Sequence, residues 1–232
     1  MNTQVYPIET LAEPLLAQTR KRILDAAEQL FAERGLQGVS TREITREAGA
    51  NLSSINYYFG SKEGLILAVL TRRLAPLEQK RLAALTQVEE SAGKNRPRLE
   101  AILEALVRPM VEDAFAKASG HIHFARLMGR VLGETGETVE KLRQAHFKPL
   151  FLRFEGALHQ AIPALPKEEL FWRMIFIFGA LHFMMLAISQ PLPDWPDYIP
   201  DAERQVRRMV AFAAAGLRAG AGMPAFGHNQ MQ

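Results

Sequence analysis

Apolar residues along this chain recur at three- and four-residue steps, and strictly alternating strand patterns are nearly absent. Ile23, Ala26, Ala27, Leu30 and Phe31 form one stripe and predict a helix from about Thr19 to Arg34. Gly35 and Gly38 stop it. Ser40-Thr41-Arg42-Glu43 reads as a capping box, with Ser40 the N-cap and Glu43 reaching back to it. The short helix that follows turns Ile44 and Ala48 inward and ends at Gly49. Beyond the turn Gly49-Ala50-Asn51, a second short helix spans roughly Leu52 to Tyr58, with Ile55 and Phe59 facing the core. Gly60 breaks again, and Ser61 caps a long helix running from Lys62 towards Glu89. Two short helices joined by a Gly-containing turn and braced by longer ones is the grammar of a helix-turn-helix.

The rest of the chain continues in helices, at about 96–117, 121–132, 137–161, 167–189 and 200–219. Pro109 and Pro149 fall inside helical patterns and should kink or interrupt them. Ser91-Ala92-Gly93-Lys94-Asn95 is a polar break, and Pro191 to Pro196 is too proline-rich to be helical. The chain is therefore all-α. The pattern divides it into a flexible arm (1–18), a three-helix helix-turn-helix domain (19–66), a larger helical domain (67–219) and a flexible tail (220–232).

Composition narrows the chemistry. None of the 232 residues is cysteine, which excludes disulfides, thiolate nucleophiles and zinc–thiolate or iron–sulfur sites and permits a reducing cytoplasm. Residues 1–18 carry only Glu9 and Glu13 as charges and have no basic or long apolar stretch, so no signal peptide is expected. The net charge is only +3, but nine Lys or Arg stand against six acids between Thr19 and Ala75. No Gly-rich phosphate loop, nucleophile elbow or His/acid pairing appears, so neither catalytic residues nor a cofactor are expected. His121 and His123 lie two apart, on different helix faces, and His146, His159 and His182 are isolated in sequence; no metal site is expected. Residues 171–188 approach the length of a membrane span, but Arg173 and His182 within them would be costly in lipid.

Three segments occur in order and with matching spacing: Arg22-Ile23-Leu24-Asp25-Ala26-Ala27 through Arg34-Gly35, Val39-Ser40-Thr41-Arg42-Glu43-Ile44 through Gly49, and Tyr57-Tyr58-Phe59-Gly60-Ser61-Lys62-Glu63-Gly64-Leu65. Together they closely resemble the DNA-binding domain of TetR-family regulators. The resemblance covers roughly residues 19–70 and implies a homodimeric, ligand-responsive repressor of an inverted-repeat operator in double-stranded DNA. It implies a phosphate contact from Thr41, a phosphate or base-edge contact from Arg42, base-facing positions at Leu52, Ser53 and Asn56, and backbone contacts from Tyr57, Tyr58 and Lys62. Ser54 shares the exposed face, and Arg20 and Lys21 open the first helix where they can meet phosphate. Asn56 stands where the family often has tyrosine and Tyr58 where it often has histidine, which leaves the operator sequence open. Asn56 could pair bidentately with adenine, and Leu52 could meet a thymine methyl.

In the larger domain, Phe124, Met128, Phe147, Phe151, Phe154, Phe176, His182 and Phe183 are candidates to line an apolar effector pocket. Phe171, Ile175 and Phe178 of one helix, with Val206, Val210, Ala213 and Leu217 of the last, are candidates for the dimer interface, since TetR-like proteins dimerise through their last two long helices. The aromatic set most resembles the branch of the family that answers to fatty acyl molecules, so the effector is expected to be a fatty acid or acyl thioester. A regulator of drug efflux and a constitutive DNA-binding protein without inducer are the alternatives.

Overall fold

Ile23, Ala26, Ala27 and Phe31 are buried side by side on one face of α1 (Ile8–Arg34), as their spacing requires. The computed structural model describes residues 8–115, 136–189 and 201–220, with side chains from Leu16 onward, those of 186 and 189 apart. Candidates Phe124 and Met128, the pair His121 and His123, the proline-rich connector and the tail beyond 220 lie outside the described residues. So do residues 1–7 of the expected arm; from Ile8 onward that arm is helix. The sequence reading began α1 at Thr19 because the inward stripe begins there, yet Leu11, Ala12, Leu15, Leu16 and Ala17 are all strong helix formers and carry the helix back.

The next three helices follow as α2 (Thr41–Glu47), α3 (Ser53–Phe59) and α4 (Lys62–Ala92). Gly35 adopts φ 80° and ends α1 in the left-handed conformation open to glycine. The Ser61 hydroxyl accepts from the Gly64 N–H at 3.1 Å and starts α4. Beyond these lie α5 (Leu99–Phe115), α6 (Glu137–Leu142), a π-helical turn (Arg143–Phe147), α7 (Lys148–Ala161), α8 (Lys167–Ser189) and α9 (Ala202–Arg218). Pro109 is accommodated within an unbroken α5, and Pro76, which the sequence reading passed over, within α4. Around Pro149 the helical run is unbroken, but its α form gives way to the π turn immediately before it. The proline sits in the first turn of α7, just past the π turn, where its missing N–H leaves no helical bond unmade.

Two cores result. One gathers α1 to α4 around Ile23, Phe31, Ile44, Ile55, Leu65 and Val69, and it also takes in Val139 and Leu142 of α6. The other packs α5, α7, α8 and α9 around Ile102, Leu106, Phe154, Leu170, Met174 and Met209. α4 belongs to both. Arg173, which argues against a membrane span, instead caps the end of α9, donating to the carbonyls of Gly216 (2.9 Å), Ala219 (2.6 Å) and Gly220 (3.1 Å). Among the described residues no helix is long and apolar enough to cross a membrane.

Glu28 of α1 is buried to within 3% of complete and faces two cations of α4. Its carboxylate accepts from Arg73 Nε at 2.9 Å and from Arg72, whose Nη1 also reaches Asp25 at 2.6 Å. A buried carboxylate is tolerable only when paired in this way, and removing one side strands the other. Glu28→Ala is expected to cost about 3 kcal/mol of unfolding free energy, the low end for such a loss because both arginines keep some water. Urea denaturation followed by circular dichroism measures it, and a loss below about 0.5 kcal/mol would show that the clamp carries no weight.

Candidate functional site

The short helices α2 and α3 are locally secured before anything else touches them. Ser40 N–H donates to Glu43 Oε2 at 2.8 Å, Glu43 N–H donates to Ser40 Oγ at 3.3 Å, and Arg34 Nη1 meets Glu43 Oε1 at 2.9 Å. The capping box read from the sequence is thus formed and tied to the end of α1. Thr45, buried in α2, gives its hydroxyl to the Thr41 and Arg42 carbonyls. The turn to α3 runs through Gly49 at φ 57°, and a Cβ there would stand 3.5 Å from Arg22 Nη1.

Ile55 is the one fully buried side chain of α3, and Phe59 and Tyr58 pack partly against the same core. The opposite side is presented outward: Leu52, Ser53, Asn56 and Tyr57 are exposed, with Ser54 partly so. Tyr57 and Tyr58 meet edge to face at 4.9 Å between centroids, which fixes the direction of both hydroxyls. Leu52 is an odd choice for its place. It occupies the N-cap of α3 with no side-chain cap bond, 47% exposed, where Ser or Asn would be stabilising. This exposed leucine breaks a local rule with no packing gain on the described surface.

Arg42 lies exposed on α2, and neither Arg20 nor Arg42 forms an ion pair among the described residues; Arg20 stacks over the Phe59 ring at 5.5 Å. Lys21 is engaged by Asp25 at 2.7 Å. Thr41 and Lys62 each start a helix at the edge of the same surface and are half-buried. Arg46 was missed by the sequence reading. It is exposed one helical turn beyond Arg42, and the i, i+4 step was the available signal.

The sensor candidates are sorted differently from expectation. A cavity of about 680 Å³ opens between α6, the π turn, α7 and α8, walled by Leu142, Phe147, Phe151, Phe171, Ile175 and Phe178, with Arg143 and Lys148 at its border. Phe147 and Phe151 therefore line a cavity, and with them Phe171, Ile175 and Phe178, which the sequence reading had assigned to the dimer interface. Phe154 does not line it, being wholly buried in the second core. Phe176 and Phe183, expected in the pocket, stand outward on α8 at 64% and 63% exposure. The half-buried His182, its pKa lowered by desolvation, does not line this cavity either. Val206, Ala213 and Leu217, expected between subunits, are buried within their own core, and Val210 is partly buried there. Helical periodicity located the apolar faces of α8 and α9 but could not say which face met the protomer's own α5. Among the described residues no group of His, Asp and Glu could hold a metal ion.

A model of bacterial regulatory proteins, tetR family, matches residues 23–69, and a tetracyclin repressor-like C-terminal domain matches residues 104–216. The regulator BetI of Rhizobium meliloti is 33% identical over 97 residues, 42% of this chain and 44% of its own. The chain thus spans less than half the length of the curated relatives it matches. Among solved structures, Bacillus subtilis FadR in complex with stearoyl-CoA superposes with TM-score 0.64 at 15% identity, covering 84% of this chain and 98% of that one. A SmeT–triclosan complex superposes with TM-score 0.61 at 20% identity, covering 89% and 95%.

Acid stability isolates the capping box. Hydrogen bonds from the Ser40 hydroxyl and backbone, then from Arg34, hold the Glu43 carboxyl at about 2 against an ordinary 4.5. Its contribution is complete above pH 4.5 and is lost as the pH falls towards 2. Glu43→Gln is expected to flatten the dependence of stability on pH across that window. An unchanged acid limb in urea titrations would show that the box is not held in solution.

Proposed function

Because the chain belongs to the TetR family of bacterial regulatory proteins, we propose that it is a homodimeric transcriptional repressor, released from an inverted-repeat operator when an apolar effector fills the seam between its two cores. The observation that carries this reading is the make-up of the cavity wall. Leu142 belongs to the core of the DNA-reading helices and Phe147 packs against it, while Phe151 and Phe178 pack against the core of the larger domain. A molecule lodged there presses on both cores at once. It acts in the cytoplasm, where the DNA is.

The reader end follows from the exposed face of α3. Asn56 pairs with a base edge, Leu52 meets a thymine methyl, and Tyr57, Tyr58, Thr41, Arg42 and Lys62 fix the protein on the phosphates. Half-sites are read about one helical turn of DNA apart, roughly 34–36 Å, or a multiple of it. Two subunits meet through the outer sides of α8 and α9, where Trp172, Phe176, Phe183 and Phe212 are all at least half exposed. In operator-binding assays, Asn56→Ala is expected to cost about 1–3 kcal/mol and relax base preference. Lys62→Ala should weaken every sequence alike and reduce the salt slope by about 1. Phe183→Glu should give monomers by sedimentation with little operator affinity. Equal behaviour of the Asn56 and Lys62 variants would remove the distinction between base and phosphate contacts.

At the sensor end, an acyl chain suits a cavity lined by Phe147, Phe151, Phe171, Ile175 and Phe178. Moving the equilibrium from 99:1 to 1:99 needs about 5.5 kcal/mol of preference for the released form. About 220 Å² of newly buried apolar surface supplies that at ~25 cal/mol per Å², before ordering costs. Release should therefore lengthen its reach with chain length when operator complexes are titrated with fatty acids and acyl thioesters from eight to eighteen carbons (~1 kcal/mol per added CH₂ at most). The triclosan complex of SmeT favours a second reading, a regulator of drug efflux. Release by lipophilic drugs but by no acyl compound would select it, and release by neither would leave a constitutive DNA-binding protein.

A further inference from the structure

Four polar or charged side chains are buried among the described residues, and three of them have partners of their own kind. Glu28 meets two arginines, Thr45 bonds backbone carbonyls, and Gln205 is engaged. Arg81 is the exception. It lies on α4 facing α5, only 6% exposed, and its Nη2 donates to the thioether Sδ of Met110 at 2.9 Å. Its Nε has no hydrogen-bond partner, and it forms no ion pair among the described residues. The nearest acid acting on it, Glu78, is committed elsewhere. Both carboxylate oxygens of Glu78 stand 3.1 Å from His146 Nδ1, while His146 Nε2 meets Thr71 Oγ1 at 2.9 Å. Burial pushes the Arg81 guanidinium down to about 10, with Glu78 pulling the other way.

A buried guanidinium on a thioether is an expensive arrangement, because sulfur is a weak acceptor and a desolvated charge needs an anion. A core built only for stability would place methionine or leucine there. The free Nε–H and the loosely held Nη2–H form one edge of the guanidinium fork, which is the edge that takes a carboxylate in two parallel bonds. Arg81 is also joined to the cavity by a short relay: Glu78 acts on Arg81 and holds His146, and the following residue, Phe147, lines the cavity wall.

We propose that Arg81 anchors the carboxylate of a bound small molecule between α4 and α5. This deepens the effector reading, on which it rests, by naming the head group: the ligand is a carboxylate and not a neutral lipid or drug. The anchor lies on the helix that carries the reader, so an arriving anion bears directly on α4.

The full-length protein is titrated with butyrate, decanoate and decanol, with thermal unfolding as the binding readout and operator release scored separately. Decanoate should bind about tenfold or more tightly than decanol, the worth of a charge-assisted hydrogen-bond pair. Arg81→Met should erase that ratio while leaving operator binding intact, and its ligand-free Tm should be unchanged or higher, since it removes an uncompensated buried charge. Arg81→Lys, which keeps the charge without the fork, should retain only part of the preference. Butyrate matching decanoate would support the anchor and identify a small organic acid as the ligand in place of an acyl chain. Carboxylate binding lost in Arg81→Met but without operator release in the wild type would keep the anchor and sink the effector reading. Release of equal strength by decanoate and decanol would keep the effector reading and sink the anchor. A Tm several degrees lower for ligand-free Arg81→Met, or no carboxylate shifting the wild type, would also overturn it.

Discussion

A carboxylate with almost no access to water must be answered by positive charge, and in this molecule that demand fixes how the reading head is mounted. Glu28 sits on α1, and the cations that answer it among the described residues, Arg72 and Arg73, sit about three turns into α4. Apolar contacts between α1 and α4 are tolerant of small slides, as helix packing generally is. A buried paired carboxylate is less tolerant, because sliding it off its arginines leaves a desolvated charge without a partner. The Glu28 clamp thus adds a directional constraint to the apolar packing of α1 to α3 against α4.

The same helix also holds His146 of the π turn through Thr71 and Glu78, and Met110 of α5 through Arg81. All three polar points lie between Thr71 and Arg81 of that one element. α6 adds an apolar link, since Val139 and Leu142 pack in the reader's core though they lie between α5 and α7, both helices of the larger core. The two cores thus share one continuous helix with discrete polar attachments along it.

The reader was legible in the sequence because its signals are local. Ser40 and Glu43 cap each other across three residues, and the Ile55 and Phe59 spacing fixes which side of α3 faces out. The larger domain was legible as helices and far less as surfaces. α8 is apolar nearly all round, so periodicity could not tell Phe178, which packs inward, from Phe176, which stands in solvent. α9 has a clear stripe, but whether Val206, Ala213 and Leu217 meet the protomer's own α5 or another subunit is decided by distant chain. The polar attachments were invisible for a similar reason: Glu28 and Arg72, or Glu78 and His146, are separated by dozens of residues, and nothing local marks them as pairs.

The π turn at Arg143–Phe147 has a geometric consequence for the helix that contains it. Val139 and Leu150 are eleven residues apart, about three turns of ideal α-helix, so an uninterrupted helix would set them on a single stripe. They serve different cores, Val139 the reader's and Leu150 the larger domain's. The wider turn between them rotates one stripe relative to the other, as a phase slip in a screw thread would. One residue of chain length is thereby what lets a single run of helix answer to two hydrophobic centres. Winding all five residues from Arg143 to Phe147 as ordinary α-helix would restore the common thread and force the segment to serve one centre at the expense of the other.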